Sequence, residues 1–239
     1  MIDRVAPTIR PTLPVRGYQR WRSLLFMHWA VPVELIRQWV PKRLEIDLYD
    51  GLAYVGLVPF AMEGVRNAWW PSFTGLTFLE TNVRTYVHFN GEPGVYFLSL
   101  DAAHQLAVWG ARRFWGLPYY HARMSLTQSK NEIAYELVRT DRTANLKVRY
   151  RIGSALKPFS EISQEYFFLE RYLLFLEHRD QLYSGQVHHA PYPAHLAEVL
   201  DLEDSLITAA GLDGDWGMPS HCHFSPGVDV EIFGLKKLG

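Results

Sequence analysis

The chain has 239 residues, of which 48% are apolar and 21% are charged, and its formal net charge is -1. This composition is close to that of an average globular protein and allows a sizeable hydrophobic core. The near-neutral charge and the lack of long like-charged runs exclude the basic surface that binds nucleic acid, so no nucleic-acid partner is expected.

Cysteine usage and hydropathy point to one cellular compartment. The single cysteine, Cys222, excludes an internal disulfide bond and fits a reducing environment. The first residues include an early aspartate and several prolines without an apolar core, so we do not expect a secretory signal. The longest apolar runs, such as residues 24–27, are too short to span a bilayer. The sequence therefore predicts a soluble, cytoplasmic protein without a membrane partner.

The N-terminal region predicts an extended arm followed by a buried strand. Residues 1–17 are rich in proline and arginine and are interpreted as the arm, ahead of a single domain over residues 18–239. Residues 18–29 pass from weak alternation to a continuous apolar run, which is typical of a strand buried on both faces. Arg22 is an unexpected charge beside this run.

A short helix and two hairpins are predicted next. The prolines at 32 and 41 bracket a two-turn helix. Asp50-Gly51 predicts a hairpin between two alternating runs, and residues 90–94, with the sequence NGEPG, predict a second one.

The strand that leads into the second hairpin has an unusually polar face. Alternation places Phe78, Glu80, Asn82, Arg84 and Tyr86 on one side of it. We interpret this face as the lining of a polar cavity inside a curved sheet. A solvated outer face with cross-strand ion pairs is the alternative.

A helix that stops abruptly is predicted over residues 102–115. Its apolar side chains recur with a helical period, at Leu106, Ala107, Val108, Ala111, Phe114 and Trp115. Asp101 precedes the helix and is interpreted as its cap. Gly116 and Pro118 end it, and the chain re-emerges as a strand that begins with Tyr119 and Tyr120. Because successive strand residues point to opposite faces, only one of these tyrosines is expected to face a site.

The rest of the chain predicts mostly strands. Strands are expected at residues 121–127, 132–139, 145–152 and 183–195, two strand-like runs within 159–178, a short helix at 203–211, and a strand pair around Pro226-Gly227. Many strands with two or three helices predict a mainly β fold, a β-rich α+β domain with a closed or half-closed sheet.

Local motifs exclude several enzyme classes. The sequence contains no Walker loop, dinucleotide fingerprint, nucleophile elbow or zinc-protease helix. His221 and His223 flank Cys222 and would point the same way on a strand, so they could share a metal with His188 or His189. Structural histidines are the favoured interpretation, and neither a metal nor a cofactor is predicted.

Several segments resemble the acetoacetate decarboxylase-like superfamily. The segments are IRQWVPKRLEID, GVYFLSLDAA and LAVWGARRFWGLPYYHARM, and WRSLLFMHW, ETNVRTYV and HFSPGVDVEI are similar to its YqjF-like bacterial branch. They follow the family order over most of residues 18–234. The resemblance implies a cone-shaped closed β-sheet with a central pocket, a few peripheral helices, and association into dimers or larger homo-oligomers.

The same resemblance implies that one mechanism is lost. In the decarboxylases, a lysine in the segment similar to ours forms a Schiff base with a β-keto acid. Arg112 and Pro118 match the family pattern, whereas Arg113 replaces a glutamate and Tyr119 and Tyr120 stand at the two lysine positions. A phenol cannot form an imine, so decarboxylation through a Schiff base is not expected.

Other pocket residues are implied to survive. The family's pocket arginine corresponds to Arg22 and its pocket glutamate to Glu80. Arg22 would bind an anionic substrate and Glu80 would move a proton, while a tyrosine polarises a carbonyl. A structural ion pair between Arg22 and Glu80 is the alternative. The predicted catalytic residues are Glu80, Tyr119 and Tyr120, and the predicted substrate-binding residues are Arg22, Asn82, Arg84 and Arg112.

Three functions remain open from the sequence. The first is an enzyme that binds a small organic acid or carbonyl compound and catalyses enolisation, hydration or lyase chemistry without a Schiff base. The second is a non-catalytic binding or sensing module that keeps the pocket but has lost the chemistry, which the tyrosines at the lysine positions favour. The third is a structural assembly protein.

Overall fold

The computed structural model describes residues 2–239, and for Ala111, Phe114 and Trp115 the backbone alone. The strands are β1 Gly17–Val31, β2 Glu45–Ile46, β3 Ala53–Asn67, β4 Leu76–Phe89, β5 Glu92–Ala102, β6 Tyr119–Ser129, β7 Glu132–Arg139, β8 Asn145–Ala155, β9 Leu173–His178, β10 Gln181–His188, β11 His195–Asp204 and β12 His221–Lys237. The helices are α1 Val33–Arg37, α2 Gln105–Trp115, α3 Gln164–Leu169 and α4 Leu206–Ala209.

All the strands named above belong to one sheet that closes on itself. Its order is β10-β9-β5-β6-β7-β8-β11-β12-β1-β3-β4-β2, with further pairings of β5 with β4 and of β10 with β12. These pairings complete a ring in the order β12, β1, β3, β4, β5, β9 and β10. Strands β6, β7, β8 and β11 run from β5 to β12 on the other side, and β2 pairs with β4 alone. The predicted closed, mainly β fold of acetoacetate decarboxylase-like type is confirmed.

The middle of β1 is buried on both faces of the sheet. Leu24 and Phe26 of β1 pack into one hydrophobic cluster, whereas Leu25 and Met27 pack into the other. Two-sided burial explains why this stretch is a continuous apolar run rather than an alternating one.

The helices are short, and α3 buries Phe167, Phe168 and Leu169 in the same hydrophobic cluster as Leu24 and Phe26. The longest, α2, has 11 residues and ends at Gly116, whose φ is 65°. Within residues 2–239, no helix is long and apolar enough to cross a membrane. The predicted helix end is confirmed, while the predicted apolar side chains of Ala111, Phe114 and Trp115 lie outside the described part of the structure.

One predicted hairpin is confirmed and the other is only partly correct. Asn90 and Gly91 adopt the positive φ angles of a tight turn between β4 and β5. The turn at Asp50-Gly51 also forms, but it joins only the single bridge from Tyr49 to Leu52. The strand before it, β2, pairs with β4 instead of β3.

Three other predictions were wrong or incomplete. The first strand-like run within 159–178 is the helix α3, because the Ser163 hydroxyl caps it by accepting a hydrogen bond from the Tyr166 N–H. The strand β11 was not predicted. The expected strand pair around Pro226-Gly227 is one continuous strand, β12, which is distorted at Gly227 but does not reverse.

The distortion of β12 lies beside a matching distortion of β1. Ser23 has a φ of 51° and Gly227 a φ of 130°. On both sides of this point β1 and β12 remain paired, with Arg22 opposite Gly227 and Leu24 opposite Ser225. The irregular residue shifts the alternation of side chains along each strand.

Candidate functional site

A cavity of about 290 Å³ lies inside the ring of strands. Most of its wall is aliphatic or aromatic. Its polar side chains include Glu80, Asn82, Arg84, Tyr119, Arg171 and Tyr192. Glu80, Asn82 and Arg84 of the polar face predicted on β4 therefore line this cavity, whereas Phe78 and Tyr86 are not among its lining residues.

Glu80 and Tyr119 form a hydrogen-bonded pair in the wall. The Tyr119 hydroxyl donates to Oε2 of Glu80 at 2.8 Å. β5 lies between the two residues, since Ala102 pairs with Glu80 and Leu100 pairs with Tyr119. Because α2 ends abruptly before β6, the Tyr119 side chain at the start of β6 reaches across β5 to the carboxyl group of Glu80 on β4.

The carboxyl group of this pair has a strongly altered acidity. Burial raises the pKa of Glu80 to about 8, the hydrogen bond from Tyr119 opposes this rise, and the charge of Asp101 adds to it. Burial and the neighbouring carboxyl group also raise the pKa of Tyr119 well above its ordinary value. Glu80 is therefore protonated over most of the range below pH 8 and can exchange its proton near neutrality.

Two buried arginines provide positive charge elsewhere in the wall. Nη2 of Arg84 donates to the Phe168 carbonyl at 3.1 Å and to the Tyr86 hydroxyl at 3.3 Å. Arg171 donates through Nη1 to Asp47 at 2.6 Å and through Nε to the Phe167 carbonyl at 2.6 Å. Burial lowers the pKa of Arg171, against the opposing effect of Asp47.

Three buried polar atoms of the cavity residues have no hydrogen-bond partner among the residues that the structure describes. They are Oδ1 of Asn82, Nε of Arg84 and Nη2 of Arg171. Buried polar atoms are nearly always paired, so unpaired ones on side chains that line a cavity indicate where a ligand can complete the bonding once these side chains turn toward it.

Arg22 does not line the cavity, which corrects its predicted placement. Its guanidinium donates to Oδ1 of Asp229 at 2.5 Å and to the Val228 carbonyl at 2.8 Å, on the outer side of the sheet. The distortion at Ser23 is the physical reason. Trp21, which precedes Ser23 on β1, faces the cavity, and so does Leu24, which follows Ser23. Arg22 therefore points away from the cavity. Arg22 and Glu80 also do not form the alternative ion pair.

Tyr120 and Arg112 also lie away from the cavity. The Tyr120 ring faces the other side of β6, where the guanidinium carbon of Arg139 lies 3.7 Å from its centroid. Arg112 is exposed, donates to the Tyr119 carbonyl and lies 5.3 Å from the centroid of the Tyr120 ring. Of the two tyrosines at the lysine positions, Tyr119 alone faces the cavity.

Asp101 is part of a buried ion pair instead of capping α2. It accepts hydrogen bonds from Arg139 at 2.7 and 3.0 Å. The cap of the helix is His104, whose Nδ1 accepts from the Ala107 N–H at 3.3 Å. Asp101 therefore pairs with an arginine that is distant in sequence. The spacing of residues around the helix start does not reveal this pairing.

The histidine pair on β12 does not assemble a metal centre in the described residues. His221 and His223 both lie near the Phe168 ring, but no group of three His, Cys, Asp or Glu side chains comes together in residues 2–239. His223 is buried, and burial lowers its pKa to about 4. The His223 imidazole lies near the Phe168 ring, and its lowered pKa favours the neutral form.

Sequence reasoning missed Arg171 and Tyr192 as cavity residues. A usable signal was present, because Glu170-Arg171 is a charged pair inside the apolar stretch YFFLERYLLFL. Glu170 accepts hydrogen bonds from the Tyr172 hydroxyl and the Tyr192 N–H, so it ties the segment that contains Tyr192 to the residues after α3. Nothing in the sequence pattern marks Tyr192 in the same way.

Solved structures with the same architecture are acetoacetate decarboxylase-like. The enduracididine biosynthesis enzyme MppR complexed with pyruvate matches with a TM-score of 0.66 at 12% identity, over 95% of this chain and 92% of that one. An acetoacetate decarboxylase from Legionella pneumophila matches with a TM-score of 0.66 at 16% identity, over 98% and 92%. At such low identity these likenesses show the fold alone.

Sequence comparison gives a closer relationship. The uncharacterized protein YqjF of Bacillus subtilis (strain 168) is 37% identical over 221 residues, which are 92% of this chain and 91% of that protein. Residues 18–229 match the model of the DUF2071 family, described as an uncharacterized conserved protein. The chain therefore belongs to the DUF2071 family.

Proposed function

We propose that this protein binds a small organic acid or carbonyl compound in the cavity and catalyses enolisation, hydration or lyase chemistry without a Schiff base. The observation that carries the proposal is the buried pair of Glu80 and Tyr119 in the cavity wall, at 2.8 Å from each other. A carboxyl group whose pKa is about 8 is suited to proton transfer near neutral pH.

The geometry supports a division of roles in enolisation. A carbonyl oxygen bound beside the pair accepts the Tyr119 hydrogen bond, and the Glu80 carboxylate removes a proton from the neighbouring carbon. The proton moves to Glu80, and the electron pair of the C–H bond forms the enolate that Tyr119 stabilises. Because Tyr119 then no longer donates to Glu80, the pKa of Glu80 rises and its carboxylate becomes a stronger base.

The lack of an amine in the wall supports chemistry without an imine. Tyr119 stands at the lysine position of the decarboxylase pattern, and within the described residues no lysine lines the cavity. Borohydride added with a keto acid should therefore trap no covalent adduct. An adduct on any lysine would contradict this part of the proposal.

Solvent exchange tests the proton transfer directly. Incubated in D₂O with pyruvate, the compound complexed with MppR, or with other oxo acids, the wild type should exchange the protons next to the carbonyl. The rate should rise with pH through about 8 as Glu80 ionises, and Glu80→Gln should abolish it. Tyr120→Phe is the matched control, because Tyr120 faces away from the cavity, and it should keep the exchange.

A non-catalytic binding or sensing module is the second candidate, favoured by the tyrosine at the lysine position. Thermal stabilisation by oxo acids without exchange or turnover would support it against the enzyme. We also propose a cytoplasmic homo-oligomer, without nucleic-acid or membrane partners, on the ground of the resemblance and the neutral composition. Light scattering tests the oligomeric state.

A further inference from the structure

The polar groups of the cavity are separated into two ends. Glu80 and Arg84 lie on the same face of β4, four residues apart, so their backbones are about 13 Å from each other. The Arg84 guanidinium extends further along the strand, where it contacts the Tyr86 hydroxyl and the Phe168 carbonyl. A carboxyl–phenol end and a cationic end therefore face each other along the cavity.

The cationic end carries an excess of positive charge. Arg84 and Arg171 both lie over the Tyr86 ring, at 5.6 and 4.9 Å from its centroid. Asp47 pairs with Arg171 and also with Arg4, and within the described chain no carboxylate pairs with Arg84. Glu170, whose pKa burial raises, is committed to hydrogen bonds from the Tyr172 hydroxyl and the Tyr192 N–H. The unpaired nitrogens of Arg84 and Arg171 at this end of the cavity could therefore bind one anion.

The donors that remain free are fully buried atoms of side chains that line the cavity. Arg84 is 9% exposed and Arg171 is 7% exposed, and each keeps one nitrogen, Nε and Nη2 respectively, without a partner in the described residues. Carboxylates are bound well by such charged donors, since a charge-assisted hydrogen bond is about twice as strong as a neutral one.

The space between the two ends is apolar and limited. Leu24, Phe26, Val58, Phe60 and Val95 contribute to it. A volume of about 290 Å³ lies at the lower end of the roughly 300–1,000 Å³ of ordinary small-molecule sites, which favours a ligand of medium length. An acid with eight carbons is such a ligand, and it is long enough to bring its two ends to the two polar regions.

We propose that the ligand is a medium-chain oxo acid, with its carboxylate bound by Arg84 and Arg171 and its distal carbonyl at Glu80 and Tyr119. This inference rests on the proposed function for the role of the carbonyl end. The carboxylate end and the chain length stand on the cavity itself and can be measured with saturated acids, which have no carbonyl to react.

The test is a binding series measured by isothermal calorimetry. From butyrate to octanoate, affinity should rise about fourfold per methylene group, and decanoate and dodecanoate should gain nothing more. Octanamide, which lacks the charge, should bind about tenfold or more weakly than octanoate. Arg84→Gln should remove this preference for the charged ligand, whereas Arg22→Gln, outside the cavity, should keep it.

Equal affinity for octanoate and octanamide, or an affinity independent of chain length, would overturn the inference. The octanamide comparison uses the wild type, so it decides the question even if Arg84→Gln does not fold. Octanoate binding without exchange of any oxo acid would leave the inference standing and refute the proposed enolisation. Exchange of pyruvate without chain-length dependence would do the reverse.

Discussion

Tyr119 and Tyr120 are neighbours in sequence but have different chemistry because they point to opposite faces of β6. Tyr119 donates to Glu80 inside the cavity, whereas Tyr120 packs under Arg139. The hydrogen bond from Tyr119 lowers the pKa of Glu80, so Tyr119→Phe should raise it above about 8. The pH at which solvent exchange begins should move upward, and Tyr120→Phe should leave it unchanged. A profile that shifts equally in both variants would contradict the assignment of Tyr119.

The acidity of Glu80 also predicts how stability depends on pH. Its pKa is about 8 in the folded protein and near 4.5 in the unfolded chain, so between these values the folded state holds the proton that the unfolded state has released. The free energy of unfolding therefore falls as pH rises from about 5 to 8, by at most about 1.4 kcal/mol per pH unit from this group.

Glu80→Gln removes this titration. Urea unfolding at pH 5 and pH 8 should show the wild type losing more stability than the variant over that interval. Equal losses would mean that Glu80 ionises in the folded state at an ordinary pH.

At the scale of single elements, the paired distortion of β1 and β12 determines which side chains reach the cavity. At Gly227 a Cβ atom would lie 2.0 Å from the Trp21 carbonyl oxygen, and its φ of 130° is strained for other residues. Gly227→Ala should therefore destabilise the fold by several kcal/mol in urea unfolding.

Gly110→Ala is the matched control, because among the described residues no neighbouring atom lies within 4 Å of the position that a Cβ would take at this site in α2. Alanine favours a helix over glycine, so this variant should gain up to about 1 kcal/mol. A neutral effect of Gly227→Ala would show that β12 can relax without its glycine.

The same elements show what sequence patterns could and could not predict. β4 alternates regularly through Glu80, Asn82 and Arg84, so period two was enough to identify its cavity face. In β1 the irregular Ser23 interrupts the alternation, and nothing in WRSLLF marks it. The resemblance placed a charge at Arg22 in the pocket, while the cavity's cations come from β4 and from the turn after α3. Long-range pairing, as between Asp101 and Arg139, is invisible to local patterns.

At the scale of the whole molecule, the N-terminal arm is connected to the cavity wall through buried charges. Arg4 donates to both oxygens of Asp47 at 2.6 and 2.7 Å, and Asp47 also binds Arg171, which lines the cavity. The arm thus packs on the chain's own domain, where the Tyr166 hydroxyl also donates to the Arg4 carbonyl. Its first residues contribute to the position of a cavity arginine.

Removing this connection should cost measurable stability. Burial alone would raise the pKa of Asp47, but hydrogen bonds and charges from Arg4 and Arg171 outweigh it and hold the pKa below its ordinary value. Arg4→Ala removes two of those hydrogen bonds from a fully buried carboxylate while Arg171 remains, so we expect a loss of about 1–3 kcal/mol at pH 7.

The pH dependence identifies the cause of that loss. A carboxylate with a lowered pKa stabilises the fold above about pH 4, and this contribution disappears as pH falls through its folded pKa. The difference between wild type and Arg4→Ala in urea unfolding should therefore be largest at pH 7 and shrink near pH 3. Arg10→Ala is the control, since Arg10 pairs with Glu231 on the surface and should change stability by less than about 1 kcal/mol. Equal effects of the two variants at pH 7 would mean that the contact of Arg4 with the buried Asp47 adds no more stability than a surface ion pair.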